Sequence, residues 1–165
     1  YIHHCVDDVN NNAFKVPDYS TVEPLYDEAI QEFLKQLNLK NSVRYKWNIV
    51  NYTCMTEGQY MKEHLHTNAD FTAVHYLQYD NETNNSTTYN NTSHHSKYID
   101  YLRPGFTDNF DSLDENNSWM FETFKIPTEQ DDLVIFPAML YHSISKVYTN
   151  KKRMTIIFNF EIEKC

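Results

Sequence analysis

Hydrophobic and polar positions along this chain change period once. In "TVEPLYDEAIQEFLKQLNLK" (21–40), Leu25, Ala29, Ile30, Phe33, Leu34 and Leu37 recur at spacings of three and four, which is one face of a helix. Pro24 suits a first helical turn. Asp27 and Glu28 lie near the positive end of the helix dipole, and Lys35 and Lys40 lie toward the negative end. The pattern predicts a helix over about residues 22–38 whose apolar face packs on something larger. Downstream the period drops to two. "RYKWNIVNYT" (44–53) and "DFTAVHYLQYD" (70–80) alternate and are rich in β-branched and aromatic residues. "DDLVIFPAML" (131–140) reads as a short buried strand stopped by Pro137, with Asp131-Asp132 as the turn into it, and "RMTIIFNFEIE" (153–163) reads as another strand.

The remaining stretches carry little pattern. Residues 1–20 read as a loop or an edge strand, and "DNETNNSTTYNNTSHHSK" (80–97) as a polar loop or insert. Residues 103–118, with Pro104-Gly105, read as a further long loop. One helix followed by strands with no helix among them predicts a mainly β chain of about eight strands, an antiparallel sandwich or barrel rather than a parallel sheet.

Composition narrows this further. A length of 165 residues is one domain's worth, and 41% hydrophobic with 15% aromatic residues supplies a real core. A formal net charge of −9 leaves no basic footprint for nucleic acid or an anionic membrane. No apolar run approaches the roughly 20 residues that span a bilayer, and no signal peptide opens the sequence. Cys5, Cys54 and Cys165 are too few and too scattered for a disulfide framework, so a cytoplasmic, reducing setting is expected.

The candidate chemistry lies in the histidines. His64 and His66, two apart on an extended segment, point to one face and can share a divalent metal at roughly 2.0–2.1 Å. An HxH pair alone is more often an exposed or core-edge pair, and it gains weight only from a third ligand and from supporting residues. His142, just past the strand that ends at Pro137, is that candidate, at a rim rather than in mid-core. Arg153, eleven residues on, opens an otherwise apolar strand. A guanidinium buried there costs several kcal/mol unless an anion meets it. Thr155, on the same face, adds a hydroxyl donor. His75 reads as a satisfied core histidine, His94-His95 as solvated, His3-His4 as tail, and Trp47 and Trp119 as packing residues.

"HLHTNADFTAVHYL", "DDLVIFPAMLYHSI" and "KKRMTIIFNF" together resemble the Fe(II)- and 2-oxoglutarate-dependent oxygenases, in particular a small bacterial and phage branch. The resemblance covers about residues 45–162, and the spacing from His142 to Arg153 and Thr155 is its most specific part. It implies a double-stranded β-helix (jelly roll, cupin-like) with a supporting N-terminal helix, forming a single domain over 1–165. It also implies Fe(II) and 2-oxoglutarate as cofactors, with molecular oxygen and a small-molecule or peptide substrate as partners. By position, His64, His66 and His142 correspond to the metal ligands. Arg153 and Thr155 correspond to the clamp on the far carboxylate of 2-oxoglutarate, with Tyr76, and more weakly Tyr52, reaching the same group. His66 stands where the superfamily usually has a carboxylate, so Asp70 is the reserve ligand.

The activity implied is that of a dioxygenase that hydroxylates its substrate. Two alternatives share the fold, a cupin-type metalloenzyme and a metal-free binding module. Gly58, His64, His66 and Asp70 fit the first cupin motif apart from Asp in place of Glu. The second is matched only by Pro137 and His142. Cupins do not require Arg153 and Thr155, which favours the oxygenase.

Overall fold

A computed structural model of the chain describes residues 3–5, 18–39, 41–91, 101–111, 114, 116–117 and 121–164. Its elements in order are β1 (His3–Cys5), α1 (Glu23–Gln36), β2 (Val43–Met55), β3 (Met61–His64), β4 (Phe71–Gln78), β5 (Thr87–Asn90), β6 (Thr123–Lys125), β7 (Leu133–Pro137), β8 (His142–Ile144) and β9 (Arg153–Lys164). The expected helix is present, with Pro24 in its first turn and no side-chain cap at Val22. The backbone N–H groups of Val22 and Glu23 instead donate to the Tyr19 carbonyl. Its buried stripe runs through Tyr26 and Ile30, with Phe33 and Leu34 half-buried. Leu25 and Leu37, expected on that face, are exposed. Each residue turns the helix by about 100°, so a stripe centred on Tyr26 leaves Leu25 off its line.

The strands form two antiparallel sheets, ordered β1-β2-β9-β4-β7 and β3-β8-β5-β6. The longest ladder joins β2 to β9, from Val43 opposite Lys164 to Met55 opposite Arg153. Alternation along β9 sorts its side chains by face. Ile156, Phe158 and Phe160 join Tyr26, Ile30 and Ala73 in the core beneath α1. Ile157 joins a second core with Val74, Tyr76, Tyr79, Tyr89 and Phe136. Tyr26 stacks on Phe158 at 4.6 Å, and Trp47 meets both rings edge-on, at 6.0 Å from Tyr26 and 5.6 Å from Phe158. Each such pair is worth about 0.5–1.5 kcal/mol beyond its buried area. One cavity is lined by residues of both sheets (Asn51, Thr53, Val74, Arg153 and Thr155 from one; Met61, His64, Thr87, His142 and Ile144 from the other), so the sheets face each other. This is the double-stranded β-helix.

Three stretches differ from expectation. The polar tract 80–97 contains β5, because Thr87 and Tyr89 point inward while Thr88 and Asn90 alternate with them. An inward threonine carries no hydrophobic signal. β6 is a three-residue edge strand paired to β5. Residues 3–5 form an edge strand on β2, one of the two readings of residues 1–20, and His3-His4 therefore lie in a strand rather than a tail. His94, His95 and Trp119 lie outside the described residues. Asp131 forms the turn into β7 with φ +70°, a left-handed conformation that Asp tolerates. No helix among the described residues is long and apolar enough to cross a membrane.

Candidate metal centre and anion pocket

His64 ends β3 and His142 opens β8, and the two residues are paired directly across the small sheet. His66 lies two residues beyond β3 in the following loop, where its backbone N–H donates to the Ala138 carbonyl. The three rings converge. Their centroids are 4.2 Å (His64–His142), 5.3 Å (His66–His142) and 5.5 Å (His64–His66) apart. One ligand nitrogen from each lies within 4.8 Å of the others, and these three form the one such group of His, Cys, Asp and Glu among the described residues.

Tautomers follow from the hydrogen bonds. Nδ1 of His64 is 2.8 Å from the Lys62 carbonyl, and Nδ1 of His142 is 2.8 Å from the Leu140 carbonyl. A carbonyl can only accept, so both Nδ1 atoms carry hydrogen and both Nε2 lone pairs are left for a metal. Burial holds the His142 pKa down at about 4, with the backbone carbonyl opposing and the neighbouring His64 and His66 adding to the depression. His142 is therefore neutral at pH 7 and loses no proton on binding a cation. The donor set suits a divalent transition metal.

Asp70 is placed elsewhere. Its carboxylate accepts the Ile162 N–H at 2.7 Å, its own N–H donates to the Phe160 carbonyl, and its carbonyl accepts from Ala138. It secures the start of β4 and is not a member of the histidine group.

Arg153 lines the same cavity as the three histidines and is wholly buried. Its Nε donates to the Asn85 carbonyl and its Nη2 to Thr87 Oγ1, each at 3.2 Å. Nη1 is buried without a hydrogen-bond partner. Leaving a charged donor unmet inside a protein is costly, so the arrangement fits an anion that supplies the acceptor. Thr155 lines the cavity too, its hydroxyl 2.6 Å from that of Thr53.

Tyr76, expected to reach the same anion, lies behind the guanidinium instead. Its ring centroid is 5.0 Å from the Arg153 Cζ, and its hydroxyl is 2.8 Å from that of Thr87. Tyr52 faces away altogether. A bulge between Ile49 and Asn51 inserts Val50 into β2, which reverses the side-chain parity. Tyr52 therefore joins the helix-side core, and Asn51 and Thr53 line the cavity. Sequence reasoning missed Asn51, Thr53, Asn85 and Thr87, polar residues whose inward placement no hydrophobic pattern marks.

The cavity is narrow, with about 30 Å³ of free volume. A cavity this small widens only as its lining side chains rotate aside. Met61, unbranched and flexible, is the lining residue best able to do so. Met61 and His64 also line a wider adjoining cavity of about 440 Å³, together with Tyr60, Lys62 and Glu63.

Residues 49–159 match the family model described as "Putative 2OG-Fe(II) oxygenase". That match spans more than half of the chain, and the protein belongs to this family of Fe(II)- and 2-oxoglutarate-dependent oxidoreductases. No curated protein matches it in sequence. Among solved structures it is similar to an oxidoreductase of the 2OG-Fe(II) oxygenase family from Burkholderia pseudomallei, at 9% identity and TM-score 0.50, covering 79% of this chain and 50% of that one. A Pseudomonas putida prolyl-4-hydroxylase aligns at 13% identity and TM-score 0.47, covering 82% of this chain and 61% of that one. HygX from Streptomyces hygroscopicus, solved with nickel and 2-oxoglutarate bound, aligns at 11% identity and TM-score 0.49, covering 94% and 74%. The chain thus spans between half and two thirds of the length of the first two. At these identities the Burkholderia likeness bears on fold alone.

Proposed function

We propose that the two sheets and their helix act as one oxygenase domain that hydroxylates a small molecule or a peptide side chain. His64, His66 and His142 hold the iron, and Arg153 with Thr155 holds the far carboxylate of 2-oxoglutarate. The observation that carries this is the buried Arg153, its Nη1 unmet, in the cavity that the three imidazoles line. A cupin does not require it, and a metal-free binder has no use for the three converging imidazoles beside it.

Each residue has a definable task. The Lys62 and Leu140 carbonyls fix the His64 and His142 rings with Nε2 free. The Tyr76 ring backs the guanidinium, and Asn85 and Thr87 fix its plane, so that one edge is free to bind the carboxylate. Met61 and Ile144, which line the cavity, keep bulk water from the reacting atoms. When bound, iron supplies the oxidising chemistry with 2-oxoglutarate and oxygen as co-reactants, and succinate and carbon dioxide are the co-products. The wider cavity bounded by Tyr60, Met61 and His64 adjoins the site and suits the substrate to be oxidised.

Succinate release from 2-oxoglutarate, with Fe(II) and ascorbate, tests the reading. Wild type should turn over slowly without substrate. Arg153→Ala should lose about 100-fold in kcat/KM for 2-oxoglutarate, the roughly 2.7 kcal/mol expected of a lost charge-assisted pair. Turnover indifferent to Arg153 would remove the assignment.

A further inference from the structure

The cavity's charge is unbalanced. Its described lining contains three imidazoles, one guanidinium and no carboxylate. The imidazoles that donate Nδ1–H to carbonyls are neutral ligands and cancel none of a metal's charge. The two acids closest in sequence are committed elsewhere. Asp70 accepts the Ile162 N–H, and Glu63 accepts from the Asn90 side chain and lines the outer cavity. Arg153 has no ion pair among the described residues, so its guanidinium charge meets no carboxylate there. A divalent ion held by this set shares a buried space with a second, fixed cation, and the described lining places no carboxylate between them. Like charges in a water-poor site repel strongly.

We infer that His66, by standing where a carboxylate would otherwise neutralise part of the metal's charge, makes metal binding depend on the dicarboxylate. The inference rests on the metal-centre reading above. A dianion that spans from the metal to Arg153 supplies the missing countercharge to both. Metal and dicarboxylate therefore each bind weakly alone and tightly together, and the coupling is reciprocal by linkage. His66 is a positioning and specificity-determining ligand in this sense: it makes the empty site a poor metal binder and the dicarboxylate-loaded site a good one. The nature of the anion matters as well. A keto acid with the same metal-binding end but no second carboxylate cannot relieve the Arg153 charge.

The test is anaerobic titration of the metal-free chain with Ni(II), buffered so that free Ni(II) is the same in every arm and read by calorimetry. Wild type is titrated alone, with 2-oxoglutarate, and with 2-oxobutyrate. Apparent Ni(II) affinity should rise at least tenfold with 2-oxoglutarate and severalfold less with 2-oxobutyrate. His66→Asp should bind Ni(II) more tightly than wild type when no acid is present, and its gain from 2-oxoglutarate should be at least fivefold smaller. Should the Asp variant fail to fold, as read by circular dichroism, His66→Glu takes its place. Equal Ni(II) affinity with and without 2-oxoglutarate overturns the inference and leaves the metal centre standing. A carboxylate variant with the same gain as wild type also overturns it. If wild type binds no Ni(II) in any arm, the metal-centre reading itself fails and the inference fails with it.

Discussion

The two faces of β9 have opposite chemistry at neighbouring positions. Toward α1, Ile156, Phe158 and Phe160 pack in an aromatic core, beside which the buried His75 is satisfied by the Tyr26 hydroxyl at 2.7 Å. Toward the other sheet, Arg153 and Thr155 lie with Thr53, Thr87 and His142 around a cavity, and one guanidinium nitrogen has no partner. Residues one apart on a strand thus face a packed core and a polar cavity separately. A period of two lets a single segment do both, because what is costly on one face need not be compensated on it.

The contrast is sharpest in a pair of substitutions. Phe158→Ala should cost about 3–5 kcal/mol of stability, since it removes a fully buried ring from the helix-side core. Urea unfolding measures it. Arg153→Met, five residues away on the opposite face, should leave the ligand-free chain within about 1 kcal/mol of wild type, or more stable, because an uncompensated buried charge is removed. If Arg153→Met unfolds the chain as Phe158→Ala does, the division between faces is wrong.

Acid probes both faces at once. Burial holds His142 at about 4 and also holds His75 below its ordinary value, with Asp131 opposing at the latter. Both groups favour the neutral form in the fold, so the unfolded chain takes up protons first as pH falls. Their contribution is intact above about pH 6.5 and is lost progressively below it. For metal-free protein, His142 alone should remove roughly 3 kcal/mol by pH 4. Urea midpoints at pH 7.5, 6 and 5 test this, and His142→Gln should flatten the profile more than His75→Gln. A smaller effect is expected of Asp70→Asn. It should cost about 1 kcal/mol through the weakened bond to Ile162 and should not change metal affinity. A large loss of metal binding there would restore Asp70 as a ligand.

The fold was legible wherever burial imposed a period. The helix, β2, β4, β7 and β9 all lie where alternation or helical spacing put them. β5 was not legible, because its inward positions are Thr87 and Tyr89 in an Asn- and Thr-rich run. His64, His66, His142, Arg153 and Thr155, singled out by motif spacing and the family resemblance, all line one cavity. Tyr52 was misplaced because the Val50 bulge leaves no mark in composition, yet inverts every side chain beyond it. Asp70 was mistaken for a reserve ligand because spacing says nothing about which backbone amide a carboxylate will meet.

The pairing of His64 with His142 has a consequence for the protein's life in a cell. β3 has four residues and β8 three, too few to hold an edge of the smaller sheet firmly by themselves. An ion gripped by both strands would act as a rivet between them. Loss of that ion would then do more than empty the site: it would loosen that corner to proteases, so that the protein's resistance to digestion follows its metal content.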